Sequence, residues 1–575
     1  MEASQQSQFM QIWRVNVRQQ SLMRETVPEN WAHLGGRGLV ARILLDELDA
    51  TCEPLGPGNK LLFTPGLLVG HMLSSCDRIS VGGKSPLTGG VKEANAGGST
   101  GLQLTRLGIK ALIVEDKPGQ NGWWVLHLSP QGARFESAED LAGLGVYETA
   151  TRLLERYGDH VAIALIGPGG EMRLASAGIQ NLDKDNVPSR IAARGGLGAV
   201  MGSKGLKAIV IDAKAGEKPP IAHPNAFKQA QKEFTKALMA HPQTKIYGDY
   251  GTAAMPRMSN GFGGIPTRNF SEGTYEHVDL ISGEYMRDLL LQRGGESETT
   301  HACMAGCTIR CSNIFGGEDG KSIVSPLEYE TIGLLGSNLD IPSLDDIARM
   351  CYKINDLGLD TIEVGAALGV AVEAGLMKFG DSARAMELID EIGYGTPLGR
   401  VLGAGATTTG RVFAVEHVPA VKGQAMSAYE PRAIKGTGVT YATTPQGADH
   451  TAGLTIRAKV DHLDPTVQVD VSRKAQINMA GYDTLGACVF AGNGFAAAPE
   501  SIRDLLNARY EWQVDTDILQ VLGKETIKLE REFNLRAGFT SAHDRIPEWM
   551  RREKLPPNNS VFDVSDQELD ELINW

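Results

Sequence analysis

Residues 206–240 read LKAIVIDAKAGEKPPIAHPNAFKQAQKEFTKALMA, and the texture of the chain changes within this stretch. Its first part is an apolar, β-branched run that predicts a strand, whereas residues 226–240 place apolar side chains at helical spacing. Residues 214–224 between them contain three prolines and charged residues, which is the composition of a linker. We therefore predict a boundary after Ala213 between a sheet-rich and a helix-rich region.

Short β-rich runs separated by glycine turns fill the N-terminal side of this boundary. They lie at residues 60–70, 110–116, 123–128, 160–167 and 206–213. On the C-terminal side helical periodicity dominates, as in residues 343–360 and 361–376, and Ser343 with Asp346 predicts an N-cap. A second break falls at 415–424. The prediction is an α+β protein with an N-terminal β-sheet domain at 1–213 and two mainly helical domains at 214–415 and 416–575.

The composition excludes several classes of protein. A net charge of −13 and a pI near 5.5, without any basic tract, argue against nucleic-acid binding. No run of about 18 apolar residues predicts a membrane span, and the N-terminus lacks the features of a signal peptide. Seven cysteines, a low and odd number, do not form a secreted disulfide framework. We predict a cytoplasmic protein with reduced cysteines.

Glycine and arginine occur together in two segments, residues 74–98 and 188–204. Arginine side chains and free backbone N–H groups together suit phosphate; surface loops with scattered arginines are the equally weighted alternative. The glycine motifs at residues 195–202 and 436–441 do not match a GxGxxG pattern between a strand and a helix, so a Rossmann nucleotide site is not predicted. The chain also lacks the P-loop and HExxH motifs.

The cysteines are concentrated in "THACMAGCTIRCSN", residues 300–313, which holds Cys303, Cys307 and Cys311. On a helix, this four-residue spacing would put the three thiols on one face, where they could bind a metal or cluster or could belong to a buried apolar stripe. Cys488 lies far downstream, and three close cysteines with one remote cysteine are a common ligand set for a [4Fe–4S] cluster. The other three cysteines have no further cysteine nearby in the sequence and are interpreted as structural: Cys52, Cys76 and Cys351.

Seven blocks spread over nearly the whole chain resemble, in order, the tungsten-containing aldehyde:ferredoxin oxidoreductase family. They are LGGRGLVARILLDEL, SVGGKSPLTGGVKEANAGG, RIAARGGLGAVMGSKGLKAIVI, SPLEYETIGLLGSN, LGLDTIEVG, YEPRAIKGTGVTYATTPQGADH and DTLGACVF. The resemblance is to the large catalytic subunit of bacterial-type enzymes. It implies a β-sheet base and two helical domains that enclose a tungsten bis-pyranopterin, with Mg²⁺ bridging the pterin phosphates and one [4Fe–4S] cluster beside a pterin.

The resemblance also implies the ligands. The cluster ligands would be Cys303, Cys307, Cys311 and Cys488, although three residues separate the first two where the family usually has CxxC. The implied pterin, phosphate and Mg²⁺ positions are Arg78, Asn95, Gly97, Arg190, Ile191, Ala193, Arg194, Asn355, Leu359, Asp360, Asp483 and Ala487. Asn355 stands where an aspartate is usual, so it keeps an acceptor oxygen but not the charge.

Two further residues have catalytic roles by resemblance. Glu330 matches a glutamate beside the tungsten, and we expect burial to raise its pKa to a value suited to proton transfer. His450 matches a histidine whose N–H would bond to the aldehyde oxygen as its charge develops. Without the resemblance, Glu330 would be interpreted as a solvent-exposed or helix-capping acid. His450 would be interpreted as a loop histidine whose hydrogen bonds are satisfied.

These inferences predict oxidation of aldehydes to carboxylic acids, with electrons leaving through the cluster to a ferredoxin-like, multi-cluster iron–sulfur subunit in a hetero-oligomer. A diffusing ferredoxin is the alternative acceptor. A further FAD subunit that uses NAD could extend the assembly. The alternatives are a dearomatising aryl-CoA reductase of the same family and an iron–sulfur electron-transfer scaffold. Retention of Glu330 and His450 favours aldehyde oxidation.

Overall fold

The computed structural model of the protein describes residues 9–574. The prediction that the N-terminus is not a signal peptide rests largely on residues 1–8, which lie outside the described residues. In the described part of the chain, none of the helices combines the length and apolar composition that a membrane crossing needs.

The N-terminal region is built on two six-stranded mixed sheets. The strands of the first are β1 (Gln11–Asn16), β2 (Ser21–Thr26), β3 (Leu61–Pro65), β4 (Ile79–Lys84), β5 (Val91–Ala96) and β6 (Ile109–Glu115). Those of the second are β7 (Trp124–Ser129), β8 (Gly132–Ser137), β9 (Ala162–Leu165), β10 (Ile179–Asn181), β11 (Arg190–Ala192) and β12 (Leu206–Ile211). Each of the five predicted β-rich runs therefore contains a strand.

The strand order is β2-β1-β6-β3-β4-β5 in the first sheet and β11-β10-β9-β12-β7-β8 in the second. The β1–β6 and β7–β12 pairs are parallel, and the other pairs are antiparallel. Trp13 and Phe63 of the first sheet share one apolar core with Leu126 and Ile209 of the second. The two sheets form a base whose β5 and β11 edges carry several of the predicted site residues.

Short helices connect the strands of this base. They are α1 (Glu29–Ala32), α2 (Gly36–Glu47), α3 (Thr100–Arg106), α4 (Val146–Tyr157), α5 (Pro168–Glu171) and α6 (Leu197–Ser203). Residues 212–223 contain no helix or strand, as the linker prediction requires.

The rest of the chain is mainly helical, as predicted. Its helices are α7 (Pro224–Ala240), α8 (Pro242–Tyr250), α9 (Met255–Gly261), α10 (Gly283–Arg293), α11 (Tyr329–Leu335), α12 (Leu344–Asp356), α13 (Thr361–Glu373), α14 (Ser382–Tyr394), α15 (Pro397–Gly403), α16 (Ala406–Phe413), α17 (Lys435–Thr443), α18 (Gln468–Leu485), α19 (Gly492–Ala497), α20 (Ser501–Tyr510), α21 (Ile518–Arg536), α22 (Glu548–Arg552) and α23 (Asp566–Asp570). The hydroxyl of Ser343 accepts a hydrogen bond from the N–H of Asp346, so the predicted N-cap of α12 is confirmed.

Two small β-structures interrupt this helical part. Strands β13 (Glu298–His301), β14 (Ser312–Gly316) and β15 (Ser322–Val324) form one sheet, and β16 (Ala420–Val421) pairs with β17 (Gln424–Ala425). The β16–β17 hairpin follows α16, within the break predicted at 415–424. The division into three domains at that break remains a prediction.

Three elements from opposite ends of the sequence bring the base and the helical part together. Helix α2 packs against α18 and α21, and Leu44 shares an apolar core with Leu485 and Leu522. This packing places the C-terminal end of α18 against the first sheet. The predicted site residues lie along that junction.

Candidate active site

The three clustered cysteines do not lie on a helix. They occupy the irregular loop between β13 and β14, so the helical arrangement considered from their spacing is wrong. Gly306 has φ +76°, and a Cβ there would come within 2.8 Å of the Met72 carbonyl oxygen. This left-handed, tightly packed glycine turns the chain between Cys303 and Cys307, which accounts for their longer spacing.

The loop meets the fourth cysteine at Ser75. The backbone N–H of Cys488 donates to the Ser75 carbonyl at 2.8 Å, and the Ser75 hydroxyl lies 3.3 Å from the Cys307 sulfur. A hydrogen bond with the Cys303 thiol lowers the pKa of Cys307 to about 5 although burial opposes it. Burial and neighbouring thiolates raise the pKa of Cys311 and Cys488. Four thiols from two distant segments therefore form one electrostatically coupled group.

Arg78 lies beside this thiol group. Burial opposes its charge, but Cys488, Cys303 and Asp483 raise the pKa of its guanidinium. Its NH2 nitrogen donates to the Asn95 carbonyl at 3.3 Å, and its Nε donates to the Asn95 side chain. Gly97 follows on the same segment, where a Cβ would lie 3.2 Å from the Cys303 sulfur. The absence of a side chain at Gly97 lets the cysteine loop pack closely against this segment.

The two predicted pterin motifs have the same backbone shape. Asn355 and Asp483 each lie in the last turn of a helix, α12 and α18, and each helix is followed by a left-handed glycine, Gly358 with φ +71° or Gly486 with φ +78°. Such a glycine ends a helix and turns the chain. The turn is followed by Leu359 and Asp360 in one motif and by Ala487 and Cys488 in the other.

Each motif has an arginine partner from the N-terminal region. Arg194 lies 2.9 Å from Asp360, measured from Nε to Oδ2. Arg37 of α2 contacts Asp483 at 3.3 Å and also donates two hydrogen bonds to Glu530. Burial, with repulsion from Glu93, raises the pKa of Asp483 well above its ordinary value. A buried acceptor of this kind suits an amino or N–H donor.

Arg190, Ile191 and Ala193 lie at the edge of the second sheet. Arg190 and Ile191 belong to β11, with Ile191 opposite Gln180, and Ala193 follows directly. The Arg190 guanidinium is buried 4.0 Å from Glu328. The structure thus places the arginine-rich segment next to the end of α12, because the Asn355 carbonyl accepts from Gln180 of the adjoining strand.

Glu330 and His450 meet although they come from different parts of the helical region. Glu330 is in the first turn of α11, and His450 begins a short 3-10 helix after α17. The His450 Nε2 lies 3.2 Å from the Glu330 Oε1, and both side chains are about 15 % exposed or less. The Tyr429 hydroxyl donates to the same Glu330 oxygen at 3.2 Å.

The electrostatics of Glu330 correct one expectation. Burial favours a raised pKa, but the charge and hydrogen bond of His450, with help from Tyr429, hold the pKa of Glu330 below its ordinary value. The expected raised pKa is therefore wrong. Glu330 is ionised near neutral pH and is ready to accept a proton rather than to donate one.

Sequence reasoning missed several buried polar residues that lie beside the predicted site residues. Lys92 Nζ contacts Asp449 Oδ2 at 2.6 Å, next to His450, and Glu93 lies beside Arg37 and Asp483. The signal was present: these charged residues stand within the glycine-rich blocks used for the resemblance. Five residues, Arg37, Lys92, Glu93, Tyr429 and Asp449, are all at most 7 % exposed.

Unpaired buried polar atoms test whether these residues fit a large anionic cofactor. In the described part of the chain, buried nitrogens without a hydrogen-bond partner include Nε and Nη2 of Arg190, Nη1 of Arg194, and Nδ1 of His450. Leaving such donors unpaired is costly, so their concentration here indicates a missing acceptor. Guanidinium groups suit phosphates, so the arginine nitrogens fit a pterin phosphate. Asp360 and Asp483 offer acceptors that suit the amino and N–H groups of a pterin ring.

Comparison with known proteins gives the family. The model of the aldehyde ferredoxin oxidoreductase N-terminal domain matches residues 12–213, and the model of domains 2 and 3 of the same protein matches residues 229–575. The chain belongs to the aldehyde ferredoxin oxidoreductase family. It is therefore an oxidoreductase, as predicted.

The chain is similar in sequence to several family members over most of its length. The tungsten-containing aldehyde ferredoxin oxidoreductase of Pyrococcus abyssi is 33% identical over 579 residues, covering 95% of this chain and 92% of the relative. That of Thermococcus kodakarensis is 32% identical and covers 92% and 89%. A WOR-like subunit of an aliphatic sulfonate oxidoreductase from Pyrococcus furiosus is 26% identical and covers 74% and 72%.

A solved structure shares the family fold. The active-site complex BamBC of benzoyl coenzyme A reductase, with bound 1,5-dienoyl-CoA, matches at a TM-score of 0.80 with 19% identity. The match covers 98% of this chain and 93% of the matched chain. The predicted α+β architecture is confirmed. At this identity the likeness establishes the fold and leaves the substrate open.

Proposed function

We propose that this protein oxidises aldehydes to carboxylic acids at a tungsten bis-pyranopterin centre and passes electrons through one [4Fe–4S] cluster. The observation that carries the proposal is the Glu330–His450 pair, 3.2 Å apart and largely buried, next to the arginines whose buried nitrogens lack partners. Relatives with 33% and 32% identity over most of the chain are named as tungsten-containing aldehyde ferredoxin oxidoreductases.

The side chains would divide the chemistry between them. Glu330, held ionised by His450 and Tyr429, would accept the proton released when an oxygen nucleophile attacks the aldehyde carbon. His450 would donate an N–H to the aldehyde oxygen as negative charge develops there. Because both side chains are largely buried, water competes weakly for these interactions.

The remaining predicted residues would hold the cofactors. Arg190, Arg194 and Asn95 would bind the pterin phosphates and their Mg²⁺, with backbone atoms of Gly97, Ile191 and Ala193. Asn355, Leu359, Asp360, Asp483 and Ala487 would bind the two pterin rings, and Arg78 would lie between one ring and the cluster. The tungsten would supply two-electron redox chemistry, and the cluster would pass electrons on singly.

The cluster would be held by Cys303, Cys307, Cys311 and Cys488. Exposed residues border the loop, among them Met72 at 45% and Val489 at 43% exposure, so electrons need not cross much protein to leave. All seven cysteines are unpaired, which supports the proposal of a reducing, cytoplasmic setting.

Metal analysis with a substrate assay tests the proposal. Purified protein should contain tungsten, iron and pterin, and it should oxidise simple aldehydes with a viologen dye as the electron acceptor. The dearomatising alternative is assayed in parallel with a cyclic dienoyl-CoA thioester, the class of ligand bound to the structurally similar complex. Thioester turnover without aldehyde turnover would replace the proposed function with that alternative, and a pterin-free protein would favour the electron-transfer scaffold.

We predict that the isolated chain reduces a viologen but does not reduce NAD⁺. Four cysteines account for the one cluster, the chain has no nucleotide fingerprint, and a second protein is therefore needed to carry electrons onward. Absorbance at the dye and NADH wavelengths distinguishes the two acceptors. Gentle purification from the native source should retain a cysteine-rich iron–sulfur subunit, with or without an FAD subunit. Direct NAD⁺ reduction by the single chain would contradict the prediction.

We predict that Tyr429→Phe moves the acidic limb of the activity profile to higher pH. The Tyr429 hydroxyl stabilises the charged form of Glu330, so its loss raises the pKa of that carboxylate. A base must be deprotonated, and activity should therefore be lost at a higher pH than in the wild type. A neutral hydrogen bond is worth about 0.5–1.5 kcal/mol, which corresponds to a shift of up to about one pH unit. Tyr394→Phe, at an 80% exposed tyrosine, is the control and should leave the profile unchanged.

A further inference from the structure

A second group of ligand-type side chains lies outside the candidate active site. Asp183 and Asp185 stand on the loop between β10 and β11, and His301 is the last residue of β13. One ligand atom from each lies within 4.8 Å of the others, and no other three such side chains in residues 9–574 come this close. The group joins the sheet base to the strand that leads into the cysteine loop.

The distances within the group fit a bound ion. His301 Nε2 lies 3.2 Å from Asp183 Oδ2 and 3.5 Å from Asp185 Oδ2. Metal–ligand bonds of about 2.0–2.2 Å in tetrahedral geometry separate neighbouring ligand atoms by about 3.4 Å. A divalent cation at this position would bind Nε2 and both carboxylates at once.

The other ring nitrogen of His301 is already oriented. Its Nδ1 lies 3.0 Å from Glu298 Oε2, three residues earlier on the same strand. Metal-binding histidines commonly donate their second N–H to a carboxylate, which fixes the ring and leaves the other nitrogen free to bind. The Glu298–His301 pair has this arrangement, and Nε2 faces the two aspartates.

A polar cavity borders the Asp183 side of the group. Asp183 lines a cavity of about 230 Å³ together with Asp77, Gln103, Asp159 and Lys184. Asp77 is 2% exposed, and its Oδ2 has no hydrogen-bond partner; the same holds for the buried Oε1 of Gln103. Unpaired buried acceptors beside an opening favour a hydrated cation.

We propose that Asp183, Asp185 and His301 bind one divalent transition-metal ion, separate from the cofactors of the active site. Asp183 already accepts from Ser189 and from two backbone N–H groups, which fixes its carboxylate in place. Lys184 now neutralises Asp185 at 2.5 Å and would be displaced into solvent by the ion. The ion would tie the loop before Arg190 to the strand that ends two residues before Cys303.

The test counts bound Mn²⁺ in the intact holoprotein. The protein is dialysed against EDTA, checked for unchanged tungsten and iron, and titrated with Mn²⁺ while EPR records the free ion. Mn²⁺ is the probe because it favours carboxylates over thiolates, so the cysteines do not compete. Asp185→Asn is the variant of choice since this side chain is 48% exposed and its replacement leaves the core intact. Asp159→Asn, on the rim of the same cavity, is the matched control.

We expect the wild type and Asp159→Asn to bind one more Mn²⁺ per chain than Asp185→Asn. If Mn²⁺ replaces Mg²⁺ at the pterin phosphates, it does so equally in the wild type and in both variants, so the difference in bound Mn²⁺ is unaffected. Glu298→Gln should keep the number of ions and weaken the affinity by about 10–100-fold. Equal Mn²⁺ numbers in the wild type and Asp185→Asn, or no binding at millimolar Mn²⁺, would overturn the proposal. Neither result depends on aldehyde turnover.

Discussion

Glu330→Gln should lower aldehyde turnover by about 10²-fold or more, because an amide of the same shape cannot accept the proton. The structure adds a reason to expect a large effect. Glu330 is kept ionised by His450 at 3.2 Å and by the Tyr429 hydroxyl, so the wild-type carboxylate is fully available as a base above its lowered pKa. Steady-state rates with a viologen acceptor measure the loss.

Two controls separate this effect from loss of the cofactor. Tungsten, iron and pterin contents of Glu330→Gln should equal those of the wild type, since Glu330 is not among the predicted ligands. Glu318→Gln, at an exposed glutamate in the turn between β14 and β15, should retain full activity. Near-wild-type turnover in a metal-replete Glu330→Gln protein would remove Glu330 from the mechanism.

The pH dependence of the wild type follows from the same pair. A depressed carboxylate pKa contributes stability that is fully present above the ordinary pKa of the carboxylate, and this stability and the ionised base are lost as the pH falls through the lowered pKa. We therefore expect the Glu330 contribution to be constant around neutral pH and to disappear only in acid. In Glu330→Gln this acidic component should be absent.

Cys488→Ser should remove or damage the [4Fe–4S] centre. A serine hydroxyl has a far higher pKa than a thiol and is a poor ligand for iron, and Cys488 is the only member of the group that comes from outside the β13–β14 loop. Iron content should fall toward zero, and the EPR signal of the reduced protein should be lost or altered. Electron delivery to the dye should fall with it.

Cys351→Ser is the matched control. Cys351 is also buried, but it lies on α12 with its sulfur 3.9 Å from the Pro326 carbonyl and a hydrogen bond from Asn355 at 3.5 Å. Its substitution should leave the iron content and EPR signal unchanged. A normal cluster in Cys488→Ser would contradict the ligand assignment.

Much of the fold was predictable because its signals are local. The β-rich runs became strands β3, β6, β7, β9 and β12, and residues 226–240 became part of α7. Side-chain period and chain-breaking residues decide such elements without reference to distant contacts. The family blocks were equally local, and the family comparisons confirmed them over residues 12–213 and 229–575.

Other elements were missed because their local pattern is weak. Helix α2 lies within a glycine-rich block, and its stability comes from packing on α18 and α21. Strands β13 to β15 are only three to five residues long, so hydrogen bonding to one another defines them. The cysteine spacing is compatible with one face of a helix, yet this sheet and the turn at Gly306 hold the segment as a loop.

The sequence by itself determined the fold class and the family, and it supplied the candidate site residues as a prediction. Only the tertiary structure decided how those residues act on one another. Glu330 has a lowered pKa because folding brings it against His450 from a distant segment, and the Coulomb attraction and hydrogen bonds together outweigh the cost of burial. The approach of His301 to Asp183 and Asp185 has the same origin. These interaction energies depend on the distance between the groups in space, and the separation of two residues along the chain does not reveal that distance.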